Sequence, residues 1–304
     1  MELRDGSDLP ILRKCYSAYG ALSADWLNFR RELHMTDDKD LFIEAPTPGL
    51  LPLYEGKMIW QYSHAFEKPQ YWLDRAAFDR RMHSKELHRM AQDLDAPKTE
   101  VSKHDAHIRY DRSYVRLAFR TIARDTDERT LIFSLLPKSV GLGHSLFANP
   151  GKTYESGADG TVVARPVPAL RLLLALAWFN SVSCDWLARQ MIQINVSLTY
   201  LYRLPMPQPT DAEILSNADF SQLAKNALLL TLASSWDDFA ELAPLFNVTR
   251  QEVPGTPNAQ DLLRAQNDKI VARLYGITVP EFAHLLRSFK GLATKRPEYL
   301  ALLQ

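Results

Sequence analysis

The sequence predicts an α+β protein, with a small mixed sheet that includes a β-hairpin, helices packed on it, and a helical C-terminal subdomain. Three stretches lead there. Residues 112–137 alternate in polarity with period 2, residues 168–191 are apolar on most sides, and residues 211–304 read as a run of helices. The 304 residues are 46% hydrophobic, enough for a sizeable core and suggestive of two domains.

The chain in order begins with residues 9–34, where Leu9, Leu12, Tyr16, Tyr19, Leu22, Trp26, Phe29 and Leu33 recur at helical spacing. Ser23 to Asp25 could cap a second helix after Gly20. Residues 35–51 read as a loop, with a possible short strand at Leu41 to Ile43. Met58 to Tyr62 suggests a strand after a turn at Gly56. Trp72 to Gln92 is amphipathic and carries Arg75, Arg80, Arg81, Lys85 and Arg89, with His83 and His88 among them.

The stretch 112–137 organises the rest. One face carries Arg112, Tyr114, Arg116, Arg120, Ile122 and Arg124; the other carries Val115, Leu117, Phe119 and Ala123. Asp125 to Glu128 suits a turn, and a second, more apolar strand runs from Arg129 to Leu136 before Pro137. The result is a hairpin with a ladder of arginines. The rival reading is helical, because Arg112, Arg116, Arg120 and Arg124 also recur every four residues; the β-branched and aromatic content favours the hairpin. Such a ladder can face phosphates, or pair with acids of its own chain.

Residues 139–160 read as a Gly-rich loop that lacks a phosphate-cradle pattern. A buried packing helix spans 168–191, and Val196, Leu198, Tyr200 and Tyr202 alternate as a strand over 194–204. The proline run 205–209 is the best domain boundary. Helices follow over 219–235, 237–246, 258–274 and 279–289, the last with Thr278 as N-cap and Pro280 in its first turn.

Charge balances at 36 Lys+Arg against 36 Asp+Glu, which argues against a bulk nucleic-acid sponge but allows a local basic face. Cys15 and Cys184 lie far apart and form neither a disulfide framework nor a metal pattern. The first residues do not read as a signal peptide, and no stretch is long and apolar enough to span a bilayer, so a soluble, cytoplasmic protein is expected. No nucleotide loop, serine elbow or zinc-protease pair is present, and neither a catalytic nor a metal-ligand set is assigned. One enzymatic alternative stands: Asp40, Glu55 and Lys57 have the residue types of a magnesium-dependent nuclease. A further alternative is a protein-interaction subunit whose arginine ladder meets acids of another chain.

Four stretches together carry a resemblance. They are Arg31 to Asp38; Leu53-Tyr54-Glu55-Gly56-Lys57-Met58-Ile59-Trp60-Gln61-Tyr62-Ser63-His64; Arg116 to Arg120 with Asp127-Glu128-Arg129-Thr130-Leu131-Ile132; and Phe179-Asn180-Ser181 to Arg189 with Asn195 to Ser197 and Leu204-Pro205-Met206-Pro207. Tyr275-Gly276-Ile277 and Phe289 complete the pattern. The chain resembles the C-terminal target-recognition region of adenine-specific DNA methyltransferases of type IIG restriction–modification and BREX-like defence systems. It departs from that pattern at Tyr62, Ser63 and Ala65, where the family has Phe, Asp and Arg. The family's glycine-containing S-adenosylmethionine loop and Asn-Pro-Pro-Tyr motif do not occur. The resemblance therefore implies the DNA-reading half without the methylating half. Residues 1–45 would be the junction to a catalytic domain, 46–209 the DNA-recognition domain and 210–304 a helical subdomain. Double-stranded DNA and a methyltransferase catalytic domain or subunit are the implied partners, with no cofactor in this chain and S-adenosylmethionine only in that catalytic partner. The implied DNA contacts are Lys57, Gln61, His64, Arg116, Arg120 and Arg129.

Overall fold

The structure, a computed structural model, describes residues 6–124, 126–158, 160–192 and 194–304. Among the described residues, two three-stranded sheets, one two-stranded ribbon and a helical C-terminal part make it an α+β fold. In the first sheet β1 (Leu51–Tyr54) lies between β2 (Tyr71–Leu73), antiparallel, and β5 (Gly141–Leu142), parallel. In the second, β3 (Arg116–Arg120) lies between β4 (Phe133–Leu136) and β6 (Leu146–Ala148), antiparallel to both, with Arg116 opposite Leu136 and Ala118 opposite Ala148. β7 (Lys152–Ser156) and β8 (Val162–Pro166) form the ribbon. The β3–β4 pair is the expected hairpin, with shorter strands and a longer connection. Of its expected turn, Asp125 lies outside the described residues.

Helix α1 (Asp8–Ala18) is half the length that the apolar spacing of 9–34 predicts. Beyond Gly20 the chain is irregular, with a bridge from Arg30 to Ala148 on β6. Leu22, Leu27, Phe29 and Leu33 are buried all the same, so the spacing marked core positions filled by extended backbone rather than by a second helix. Helix α2 (Arg75–Asp93) is capped by Asp74, whose carboxylate accepts from the Ala77 N–H at 2.8 Å. It buries Phe78, Met82, Glu86, Arg89 and Met90 and leaves a basic outer face.

The expected helix over 168–191 is two helices, α3 (Ala169–Phe179) and α4 (Val182–Arg189). The break falls at Asn180 and Ser181. The Asn180 amide pairs with both backbone groups of Phe133 on β4, at 3.0 Å each, and Ser181 caps α4. The strand expected over 194–204 is instead a short helical turn, Leu198–Leu201, capped by Ser197. The loop expected over 139–160 contains β5, β6 and β7. The short strand expected at Leu41 to Ile43 is a 3-10 turn, Lys39–Leu41, followed by a single bridge from Ile43 to Trp72.

The C-terminal part is helical as expected: α5 (Ala218–Ser234), α6 (Pro257–Leu274), α7 (Val279–Leu286) and α8 (Pro297–Leu303), with shorter turns between. Thr278 caps α7 in a reciprocal box with Glu281. The largest apolar core joins Ile11 and Phe29, Phe119 and Trp178, Leu228 and Phe289 in one cluster, so it runs through all three expected segments. Its centre is aromatic. Phe133 stacks on Phe179 with centroids 4.5 Å apart and on Phe119 at 5.2 Å. Among the described residues, no helix is long and apolar enough to cross a membrane.

Candidate nucleic-acid interface

Strand β3 is central in its sheet and covered on both faces, so its arginines are not a wet ladder. Arg116 is 1% exposed; its guanidinium pairs with Glu32 and donates to the Val140 carbonyl at 2.8 Å. The second Glu32 oxygen accepts from the Leu142 N–H at 2.8 Å, so this pair ties residues 30–34 to β5. Arg129 is buried against Asp185, with Nε 3.0 Å from the carboxylate, and donates to the Asn180 carbonyl. Gln61 is buried and donates to the carbonyls of Leu131 at 3.0 Å and Asn180 at 3.2 Å. His64 is buried with Nδ1 3.1 Å from the Tyr54 hydroxyl and Nε2 3.1 Å from Asp238; burial holds its pKa below the ordinary value. These four expected DNA contacts are interior groups in this structure, each committed to partners of its own chain. Period-2 alternation separates the two faces of a strand but does not say which face is wet. Arg112, at the start of the expected ladder, pairs with Asp79.

The other two expected contacts, Lys57 and Arg120, meet in one cleft of about 310 Å³ with Glu55, Gly56, Ile122, His144 and Ser145. The strand expected at Met58 to Tyr62 is instead a 3-10 turn, Gly56–Met58, entered from β1 through Glu55. That turn projects Lys57 to solvent, where its ammonium lies 3.1 Å from Gln70 Oε1 and 3.7 Å from Glu55. Arg120 is half-buried and donates to the carbonyls of Gly56 and Ile59, each at 2.8 Å, with its guanidinium 5.7 Å from the Trp60 ring centroid. The Gly56 N–H donates to Ser145 Oγ at 2.8 Å, and a Cβ at Gly56 would lie 3.1 Å from both Arg120 Cγ and the Ser145 carbonyl. Glycine there lets the arginine stem cross the turn. Around the rim, Ile122 and Phe66 are exposed, and Phe66 stacks on Trp60.

A second cleft, of about 300 Å³, lies between α2 and residues 30–31. Arg30, Arg31, Lys85, His88, Arg89 and Lys98 line it, with Ser84. No carboxylate is in the lining. The two clefts share one ribbon of backbone. Residues 30–33 run against β6 and β5, with the Arg30 N–H donating to the Ala148 carbonyl at 2.8 Å and the Leu33 N–H to the Leu142 carbonyl at 3.1 Å. Arg31 lies over the Phe147 ring at 5.5 Å, and the rings of His34 and His144 are 6.3 Å apart. Exposed cations and imidazoles thus stand at 31, 85, 88 and 98 on the second cleft, at 57 and 144 on the first, and at 34 beside His144 and Asp37.

Beneath the second cleft lies a neutralised interior. Lys152 reaches Glu86 at 2.8 Å and Asp111 at 2.7 Å, and Arg89 pairs with the same two acids. Burial raises the Asp111 carboxyl, but Lys152 and Arg89 outweigh it and carry the pKa down to about 2. The basic residues of α2 were visible in the sequence. Their meeting with Arg30 and Arg31 was not, because about fifty residues separate them and no local period links the two.

Of the nuclease set, Asp40 is engaged by Arg81 at 2.8 Å, while Glu55 and Lys57 sit in the first cleft. Among the described residues, no group of three or more His, Cys, Asp or Glu side chains is placed to hold a metal ion.

No family model matches the chain, and no curated protein does. Among solved structures it aligns with a Type IIL restriction–modification enzyme, MmeI, in complex with DNA, at 12% identity and a TM-score of 0.39. The alignment covers 91% of this chain and 35% of that enzyme, so the chain spans about a third of that enzyme's length.

Proposed function

We propose that this chain is the DNA target-recognition module of a restriction–modification or phage-defence adenine-specific DNA methyltransferase. In this reading it grips duplex DNA and fixes register, and it is not itself catalytic. S-adenosylmethionine and the methylating groups belong to a catalytic domain or subunit that works with it. Adenine methylation takes the base out of the stack, so a separate grip on the flanking duplex has a clear mechanical purpose.

The observation that carries the reading is the run of exposed cations without a carboxylate in the second cleft, joined through residues 30–34 and 144–148 to Lys57 and Arg120. Cations of this kind neutralise backbone phosphates, and such contacts position a protein on DNA. The motif similarity at residues 53–64, 116–132 and 179–207 supports the more specific assignment. Base reading falls to groups at the first cleft, where Lys57 and Arg120 are joined by His144. The interaction-subunit alternative needed a ladder of arginines open to another chain. Of that ladder, Arg112 and Arg116 instead bind acids of their own chain, and Arg120 donates to backbone carbonyls.

The test is selection of bound duplexes from a random pool by the purified chain at low salt. An enriched motif is the expected result. Retention of duplexes without any enriched motif would remove target recognition, and no retention at any salt would remove DNA binding.

A further inference from the structure

We propose that the cleft between α2 and residues 30–31 is a seat for one phosphate group, gripped by Arg31 and Lys85 and walled by Arg30, His88 and Lys98. It deepens the DNA-recognition reading, on which only the source of the phosphate rests: a DNA backbone on that reading, free phosphate without it.

The seat stands out against how this chain treats its other cations. Most interior and half-buried basic groups elsewhere meet carboxylates: Arg116 with Glu32, Arg129 with Asp185, Arg112 with Asp79, Arg81 with Asp38, Lys152 with Glu86 and Asp111; Arg120 and Arg171 stand singly and donate to backbone carbonyls. In the cleft only Arg89 is paired, through Glu86 and Asp111 on its buried side. Arg30, Arg31, Lys85 and Lys98 have no carboxylate within ion-pair distance among the described residues. Their hydrogen bonds go to neutral acceptors. Arg30 donates to Gln92 Oε1 at 3.2 Å, and Lys85 donates to the Glu32 carbonyl. Those bonds fix the side chains and leave the charges standing.

The cations of the cleft are crowded and partly desolvated. Burial, then the nearby Arg89, lowers the Arg30 pKa against the pull of Asp93, Asp111 and Glu86; burial lowers that of Lys85, where Asp38 and Glu32 oppose Arg89 and Arg31. A bound oxyanion offsets the repulsions from Arg89 and Arg31. The shape suits phosphate: two guanidinium forks present paired donors, Lys85 adds a point charge and Ser84 a hydroxyl. A volume of about 300 Å³ admits a tetrahedral oxyanion with its first waters and exceeds what a single trapped water needs. One phosphate of a duplex backbone and a free phosphate ion present the same oxygens to this seat.

The experiment titrates inorganic phosphate into the full chain and follows backbone amide shifts at residues 30–31 and 84–88. It is repeated on R31Q, K85Q and, as a distant control, K295Q. Arg31, Lys85 and Lys295 all have exposed side chains, so folding should survive each change. Saturable shifts in the wild type and K295Q, weakened at least tenfold in R31Q and K85Q, are expected. The same proteins are then compared for the salt dependence of duplex binding. A slope of log affinity against log salt that is shallower by about 0.9 in R31Q assigns the seat to a DNA phosphate. An unchanged slope alongside lost phosphate binding keeps the seat and assigns it to free phosphate. Phosphate binding without DNA binding keeps the seat and removes the DNA reading. DNA binding with no phosphate shifts and no change of slope overturns the seat and leaves the DNA reading standing.

Discussion

Arg116 shows at the scale of one residue how a basic side chain on a strand becomes structural. It holds Glu32 in the interior, and Glu32 in turn holds the Leu142 N–H. Removing the guanidinium leaves a buried carboxylate without its counter-charge. R116A is therefore expected to lose roughly 3–5 kcal/mol of stability in urea titration, the usual result of breaking one side of a buried pair. A loss within about 0.5 kcal/mol, as at surface sites, would return Arg116 to the exposed ladder that the sequence suggested. Asp268 carries a second prediction. It is buried beside Tyr299 and the Val182 N–H, and burial lifts its pKa from 3.8 to about 6 despite Arg129. The folded state then holds a proton that the unfolded state releases at lower pH. This group's stabilising contribution is whole below about pH 4 and is lost as pH rises through about 6. Over that window it amounts to as much as about 3 kcal/mol. D268N is expected to flatten this part of the stability profile; an identical fall in wild type and D268N would refute the assignment.

Elements with a local signal were readable, and elements shaped by distant contacts were not. The hairpin follows from alternation in Leu117 and Phe119 and from the apolar run before Pro137, and β3 and β4 pair accordingly. Helix α7 follows from Thr278, Pro280 and Glu281 in one turn. The break between α3 and α4 has no such signal, because Asn180 leaves the helix to serve as a partner for Phe133 on β4, 47 positions away. Ser181 closes the break as the cap of α4, accepting from the Cys184 N–H at 3.3 Å. S181A is expected to cost about 1 kcal/mol in thermal or chemical unfolding; no measurable loss would show that the break is set by Asn180 alone. The run Val196, Leu198, Tyr200 and Tyr202 alternates like a strand, but Ser197 caps a helical turn there and only Asn195 bridges to Ile122. The candidate site divides along the same line. Lys57 follows the turn that Gly56 signals, so its place had a local cue. The second cleft required α2 and residues 30–31 to meet, which only the folded chain brings about.

The whole molecule balances 36 basic against 36 acidic residues and spends much of that charge internally. Buried pairs join Glu32 to β3, Asp185 to Arg129, and Glu86 and Asp111 to Lys152. One aromatic-centred core runs from Ile11 to Leu303 and holds the β3–β4–β6 sheet and the C-terminal helices together. Against this neutral background the cations of the second cleft are gathered with no carboxylate in its lining, which is how a chain of zero net charge can present a basic face. The reading of that face as a DNA grip is tested most directly by duplex affinity measured across salt concentration. Wild type is compared with a variant carrying R31Q, K57Q, K85Q and K98Q together. The account predicts affinity that falls steeply with salt in the wild type, and a slope shallower by about 0.9 for each phosphate contact removed in the variant. Salt-independent affinity, or equal slopes in the two proteins, would contradict it.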